Sequence, residues 1–156
     1  MKKKLRIYVD TSVIGGCFDK EFQEASNRLI GLGHAGSIVF LVSDVVVREL
    51  EQAPEVVRNL LSSLPENSIE RIYSDNEAFD LRDAYLDAGI LGPKWIDDMT
   101  HVALATVSRA DAIVSWNFKH IVRLEKMKAY NQINLLNGYG ILTIVSPMEV
   151  AIDEED

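Results

Sequence analysis

The chain has 156 residues, of which 47% are hydrophobic and 26% charged, and this predicts one globular domain over residues 1–150 with a substantial core. No apolar run reaches the roughly 18 residues of a membrane helix, and the basic start meets Asp10 too soon for a secretory signal, so we expect a cytoplasmic protein with no membrane partner. The net charge of −8 argues against a protein that coats nucleic acid non-specifically, which needs clustered Lys and Arg, but it leaves room for a nuclease whose carboxylates bind metal.

The first predicted element is a strand over Leu5–Val9, which ends abruptly in Asp10 and the hydroxyl pair Thr11-Ser12. Gly15-Gly16 follow closely and predict a turn. Ligands of open α/β sheets bind at the carboxyl edge of the strands, so Asp10 is a candidate site residue. The alternative is that Asp10 only caps a following helix.

A helix and a second strand are predicted between Cys17 and residue 43. Cys17 is the only cysteine, which excludes an internal disulfide or a multi-cysteine zinc site, and we expect it to be buried. The helix is expected to end at Gly31 as its C-cap. The segment from Gly31 through Gly33 to Gly36 matches the dinucleotide pattern Gly-x-Gly-x-x-Gly, but it follows a helix and precedes a strand, so we interpret it as a turn.

The remaining predicted elements alternate between helices and strands. Helices are predicted over Asp44–Gln52, after Pro54, after a capping box at Ser74–Glu77, over Ile96–Ser108 with Asp97 as N-cap, and over Phe118–Tyr130. Strands are predicted over Ser37–Ser43, Ile69–Tyr73, Ala112–Ser115 and Ile141–Val145. This alternation predicts an α/β fold, a three-layer α/β/α sandwich with a largely parallel sheet. The acidic tail over 151–156 is expected to be disordered.

Three acidic residues lie near element ends that meet at the carboxyl edge of such a sheet: Asp10, Glu49 and Asp98. Converging carboxylates repel one another unless a cation lies between them. Hard oxygen ligands of this kind suit Mg²⁺ or Mn²⁺. Such a metal acidifies a bound water and holds a phosphate, so the pattern favours phosphodiester hydrolysis.

Four blocks in chain order resemble the PIN-domain family: Val9 to Ser12, Ser43 to Leu50, Asp98 to Ala105 and Ala110 to Asn117. This family contains PilT N-terminus-type nucleases, many of them VapC-like toxins of toxin–antitoxin pairs. The resemblance implies a five-stranded parallel sheet flanked by helices and metal-dependent cleavage of RNA. It also implies a homodimer and, for a toxin, a small antitoxin protein that blocks the site.

On this resemblance Asp10, Glu49 and Asp98 match the three principal acidic ligands of the family. Ser12 matches the hydroxyl that supports the first of them, by orienting it or by contacting phosphate. Many family members have a fourth acid after the fourth strand, where this sequence has Asn117, which brings no charge to a second metal position.

Several further residues have two interpretations. Lys119, Arg123 and Lys126 share one face of the predicted helix beyond Asn117, where they either contact RNA phosphates or form a solvated face. His120 has the same two interpretations. For His101, a packed and hydrogen-bonded helix histidine is favoured over a site residue.

The first hypothesis is a Mg²⁺- or Mn²⁺-dependent endoribonuclease that needs no covalent nucleophile. The alternative is a catalytically degenerate PIN domain that binds RNA or a protein partner, and Asn117 is its motivating feature. A third is a phosphotransfer domain. The haloacid-dehalogenase pattern requires an Asp where this chain has Ser12, and a receiver requires a pair of adjacent acids where Asp10 stands alone.

Overall fold

The structure, a computed structural model, describes residues 3–150, so the predicted acidic tail lies outside the described residues. Its strands are β1 (Leu5–Val9), β2 (Ile38–Ser43), β3 (Ile69–Ile72), β4 (Ala112–Val114) and β5 (Ile144–Val145). Its helices are α1 (Thr11–Gly16), α2 (Gln23–His34), α3 (Asp44–Leu50), α4 (Glu55–Ser62), α5 (Asn76–Asp87), α6 (Ile96–Val107) and α7 (Leu124–Leu136). Between residues 3 and 150, no helix has the length and apolar character needed to cross a membrane.

The five strands form one parallel sheet in the order β3-β2-β1-β4-β5. The predicted parallel sheet is therefore confirmed, and β3 and β5 are its edge strands. The chain builds outward from β1 to β2 and β3, and then returns to add β4 and β5 on the other side. This reversal creates a switch point beside β1, where α/β proteins bind ligands. The order also differs from the 2-1-3-4-5 order of receiver domains, which excludes that form of the phosphotransfer hypothesis.

Two apolar cores lie on the two faces of the sheet, because successive strand residues point to opposite sides. Ile7 and Val9 pack on one face with residues of α1, α2 and α4. Tyr8 packs on the other face with residues of α5, α6 and α7. The predicted three-layer α/β/α sandwich is confirmed, and Cys17 is buried as expected.

Two glycine predictions were wrong. Gly15 and Gly16 lie in α1, and Gly31 lies inside α2, which ends at His34. Gly33 also lies in α2, where a Cβ atom would stand 2.3 Å from Cε2 of Phe40. Gly33 therefore allows this helix to pack closely on β2, and the matched dinucleotide pattern is largely helix.

Two N-cap predictions were also wrong. The cap of α5 is Asp75, whose Oδ1 accepts from the Ala78 N–H at 3.0 Å, whereas Ser74 donates its N–H and hydroxyl to Asp44. Asp97 lies within the first turn of α6 and forms an exposed ion pair of 3.6 Å with Arg48.

The helix predicted over Phe118–Tyr130 begins six residues later, at Leu124. Asn117 holds the preceding segment in a turn, because its backbone carbonyl accepts from the N–H groups of Ile121 and Val122. Lys119 and Arg123 therefore do not share a helix face, contrary to the prediction.

Candidate functional site

Asp10 lies directly after the central strand β1 and is 5% exposed. Ser12 Oγ donates to its Oδ1 and Ser115 Oγ donates to its Oδ2, both at 2.6 Å. The two serines are held in turn, since Trp116 N–H donates to Ser12 Oγ and Asn117 N–H donates to Ser115 Oγ, both at 2.9 Å. The chain segments after β1 and β4 thus fix both oxygens of Asp10.

Burial raises the pKa of Asp10, although the charge of His101 and the hydroxyl hydrogen bonds of Ser115 and Ser12 oppose the shift. A carboxylate that is buried with neutral hydroxyl donors carries a poorly solvated negative charge whenever it is ionised. The site therefore favours a positive group near Asp10.

Glu49 extends from α3 and meets donors from two other elements. Thr11 Oγ1 donates to its Oε1 at 3.0 Å, and His101 Nε2 lies 2.7 Å from the same oxygen. Burial disfavours the charged form of Glu49, but the hydrogen bond and charge of His101 outweigh it and lower its pKa. Glu49 is therefore held as a carboxylate.

His101 is 3% exposed and connects the site to the core. Its Nδ1 lies 2.6 Å from the hydroxyl of Tyr8, which is also 2.8 Å from Ser43 Oγ. Burial lowers the pKa of His101, but the hydrogen bond with Glu49 and the charges of Asp10, Glu49 and Asp98 outweigh burial, so the net pKa is raised. The expectation of a packed, hydrogen-bonded histidine is confirmed, and His101 also contacts the site.

Asp98 lies in the first turn of α6, and its Oδ2 lies 2.8 Å from Nδ1 of His120. His120 is 7% exposed, so it does not belong to a solvated face. Its ring also packs against Trp95, with the centroids 4.3 Å apart. Asn117 supports this contact, because its Oδ1 accepts from the His120 N–H at 2.9 Å.

The predicted site residues are thus divided between three positions. Asp10, Ser12, Glu49, Asp98, Asn117 and His120 belong to one connected region at the carboxyl edge. Lys119 lies beside Trp95, with Nζ 5.7 Å from the ring centroid. Arg123 lies at the start of α7 and pairs with Glu125 at 3.1 Å on the surface.

Sequence reasoning assigned no role to Thr11, Ser115 or Tyr8, which contact the predicted acids or their partners. Thr11 and Ser115 carried a usable signal, since each lies at the carboxyl end of a predicted strand. Tyr8 carried none, because a tyrosine inside a strand is equally typical of an apolar core.

The donor set fits Mg²⁺ or Mn²⁺ by its chemistry, because three carboxylates from different elements reach one edge of the sheet. Within residues 3–150, however, no group of three or more His, Cys, Asp or Glu side chains is close enough to hold a metal ion. Glu49 and Asp98 each direct an oxygen to a histidine instead. Binding of one metal ion by all three acids therefore requires their carboxylates to move closer together than they lie here.

No protein-family model and no curated protein sequence matches this chain. Its fold is similar to the crystal structure of VapBC2 from Rickettsia felis bound to a DNA fragment from their promoter, with a TM-score of 0.59 and 15% identity over 91% of this chain and 98% of that one. It is also similar to the crystal structure of FitAcB from Neisseria gonorrhoeae, with a TM-score of 0.58 and 13% identity over 92% of this chain and 99% of that one. At sequence identities this low, the structural similarity establishes the fold alone. Together with the five-stranded parallel sheet, it shows that the chain has a PIN-domain fold.

Proposed function

We propose that the chain is a Mg²⁺- or Mn²⁺-dependent endoribonuclease that hydrolyses RNA phosphodiester bonds. The observation that carries the proposal is the arrangement around Asp10, a buried carboxylate fixed by Ser12 and Ser115 at the switch point of the sheet. Glu49 and Asp98 lie at the same edge, and their hydrogen bonds to histidines hold them in defined orientations.

In this proposal Asp10, Glu49 and Asp98 hold the metal, which supplies an acidified water and a contact to the phosphate. Ser12 and Ser115 keep the carboxylate of Asp10 oriented. No side chain is required as a covalent nucleophile.

The first test is cleavage of a mixed RNA pool by the purified protein with Mg²⁺, with Mn²⁺ and with EDTA. We expect cleavage that requires metal and that Asp10→Asn abolishes. A matched pair sharpens the assignment: Asp98→Asn should reduce cleavage strongly, whereas Asp97→Asn, which alters the neighbouring exposed carboxylate, should leave it near wild type. Equal losses in the two variants would contradict the role of Asp98.

Asn117→Asp tests the position at which the PIN resemblance implies a fourth acid. The side-chain Oδ1 of Asn117 accepts from the His120 N–H, and an aspartate carboxylate retains this hydrogen bond while adding a negative charge. We expect higher metal-dependent cleavage in this variant. Unchanged cleavage would mean that the fourth acid is not needed in this chain.

We propose in addition that the chain is a toxin that pairs with a small antitoxin protein and forms a homodimer. The PIN resemblance and the likeness of fold to VapBC2 and FitAcB support this extension. A small overlapping gene whose product co-purifies with the chain and inhibits cleavage would establish the pairing. Light scattering coupled to size-exclusion chromatography would measure the dimer.

The second candidate function is a non-cleaving module that binds RNA or a partner. Two observations favour it: Asn117 replaces an acid, and the described acids form no ready metal cluster. This candidate predicts RNA binding that is equal with Mn²⁺ and with EDTA, without cleavage in either. Cleavage gained in Asn117→Asp alone would also support it.

A further inference from the structure

Trp95 is a partly exposed aromatic residue beside the candidate site. It ends a short 3₁₀ helix, Pro93–Trp95, three residues before Asp98, and it is 36% exposed. Its ring packs on His120, with the centroids 4.3 Å apart and the ring planes at 44°. Because His120 contacts Asp98 at 2.8 Å, one side chain connects this exposed indole to a candidate catalytic carboxylate.

The ammonium groups of two lysines from different parts of the chain lie over the same indole ring. Nζ of Lys94 is 5.1 Å from the Trp95 ring centroid, and Nζ of Lys119 is 5.7 Å from it. In the part of the chain that the structure describes, neither lysine forms an ion pair with a carboxylate. A chain with a net charge of −8 thus places two cations, unpaired among residues 3–150, and an exposed aromatic ring together next to its acidic edge.

We propose that Trp95, Lys94 and Lys119 form a subsite for single-stranded RNA, in which a base stacks on Trp95 as the flexible lysine side chains move from the ring to the flanking phosphates. Every base has a π-face, so a stacking platform accepts a strand without regard to its sequence. Lysines beside the platform supply the phosphate contacts that fix the position of the strand. The identity of the ligand rests on the proposed function, whereas the juxtaposition of the three side chains does not.

The subsite has a structural consequence for the acidic edge. RNA phosphates and the carboxylates of Asp10, Glu49 and Asp98 repel each other, so a strand needs binding energy from outside the acidic cluster. Trp95 and its two lysines lie one side chain away from Asp98 and supply that energy. An acidic protein segment would use the lysines but gain little from the indole, and this difference separates the two kinds of ligand.

The test is fluorescence anisotropy with a labelled ten-nucleotide oligouridylate in EDTA, so that binding is measured without cleavage. We expect Trp95→Ala to weaken binding about tenfold and Trp95→Phe to retain most of it, because a phenyl ring still stacks. The oligonucleotide should quench the indole fluorescence of the wild type, and this quenching should be lost in Trp95→Phe. Circular dichroism melting of each variant verifies folding.

The lysines have a separate readout. Lys94→Ala and Lys119→Ala should each lower the slope of log K against log salt by about 0.7, the value for one phosphate contact on a single strand. Lys4→Ala is the matched control, because Lys4 is exposed and precedes β1 at the opposite edge of the sheet. It should leave affinity and slope unchanged.

An abasic oligonucleotide of the same length tests whether the indole stacks on a base. The proposal expects this strand to bind the wild type about tenfold more weakly than the oligouridylate and to be insensitive to Trp95→Ala. Equal binding of both strands would overturn the proposal and assign the lysines to phosphates or an acidic partner. Absence of RNA binding by the wild type would also overturn it.

The outcomes remain separate from those of the proposed function. Trp95-dependent binding in EDTA without cleavage in metal would retain the subsite and reject the nuclease. Cleavage with metal and unchanged affinity in Trp95→Ala would retain the nuclease and reject the subsite.

Discussion

At the scale of single residues, Asp10 is held in place at a cost to stability. Its pKa is raised by burial, so ionised Asp10 is unfavourable in the folded state at every pH above its folded pKa, and the penalty vanishes below the unfolded pKa. We expect Asp10→Asn, measured in EDTA, to raise the free energy of unfolding at pH 7 by on the order of 1 kcal/mol. Urea denaturation at pH 7 and pH 3.5 should show this gain only at the higher pH. A gain at both values, or a loss at pH 7, would contradict the prediction.

The pKa shift of His101 has the opposite effect on stability: ionised His101 stabilises the folded state. Its raised folded pKa means that its stabilising contribution is fully present below the unfolded pKa, about 6.5, and is lost as pH rises through the folded value. We expect His101→Gln to lower the free energy of unfolding by about 1–3 kcal/mol at pH 6, because it removes a buried, charge-assisted hydrogen bond to Glu49. Urea denaturation from pH 5.5 to pH 9 should show the difference from wild type shrinking as pH rises. A difference independent of pH would mean that His101 acts by packing alone.

At the scale of elements, α2 offers two glycines with opposite expectations. A Cβ atom at Gly33 would lie 2.3 Å from the Phe40 ring, so Gly33→Ala should destabilise the fold by about 1–3 kcal/mol. Gly31 lies in the same helix with nothing within 4 Å of such an atom, and Gly31→Ala should stabilise by about 0.5–1 kcal/mol. Chemical denaturation of both variants checks the pair. Stabilisation by both variants would show that helix propensity, and not the contact with β2, governs position 33.

The local sequence pattern predicted the fold but not the bounds of two helices, α2 and α7. Alternation of apolar strands with periodic helices was enough for the three-layer fold, because each element buries a face that its own sequence displays. The end of α2 and the start of α7 were not predictable in this way. Gly33 is explained by Phe40 of β2, and the late start of α7 by the turn that Asn117 holds. Both causes are contacts outside the helix concerned.

In the candidate site, too, some residues were predictable from the local sequence and others were not. Asp10 and Glu49 were found because they follow strands whose carboxyl ends meet. Their fixing partners, Ser115 and His101, come from distant segments, and pairs separated by 105 and 52 residues leave no local signal. The position of an acid was therefore predictable, while the group that orients it was not.

At the scale of the whole molecule, the three acids come from the end of β1, from α3 and from α6, so only the folded chain brings them together. A ligand that joins them binds the folded state alone and stabilises it by about 2.7 kcal/mol at a hundred times its dissociation constant. We therefore expect Mn²⁺ at this concentration to raise the melting temperature by about 5–11 °C relative to EDTA, since 1 kcal/mol corresponds to about 2–4 °C in a domain of this size.

The contribution of the site to that shift is measured by variants. Asp10→Asn should lose most of the shift, because the buried carboxylate with both oxygens fixed is the best-ordered of the three donors. Asp97→Asn should keep it, because this carboxylate is exposed and paired with Arg48. A shift retained in Asp10→Asn would assign metal binding to other acids of this strongly acidic chain. A wild type with no shift would mean that His101 and His120 hold Glu49 and Asp98 too firmly for a cation to recruit them, and the acidic edge would then be a structural network.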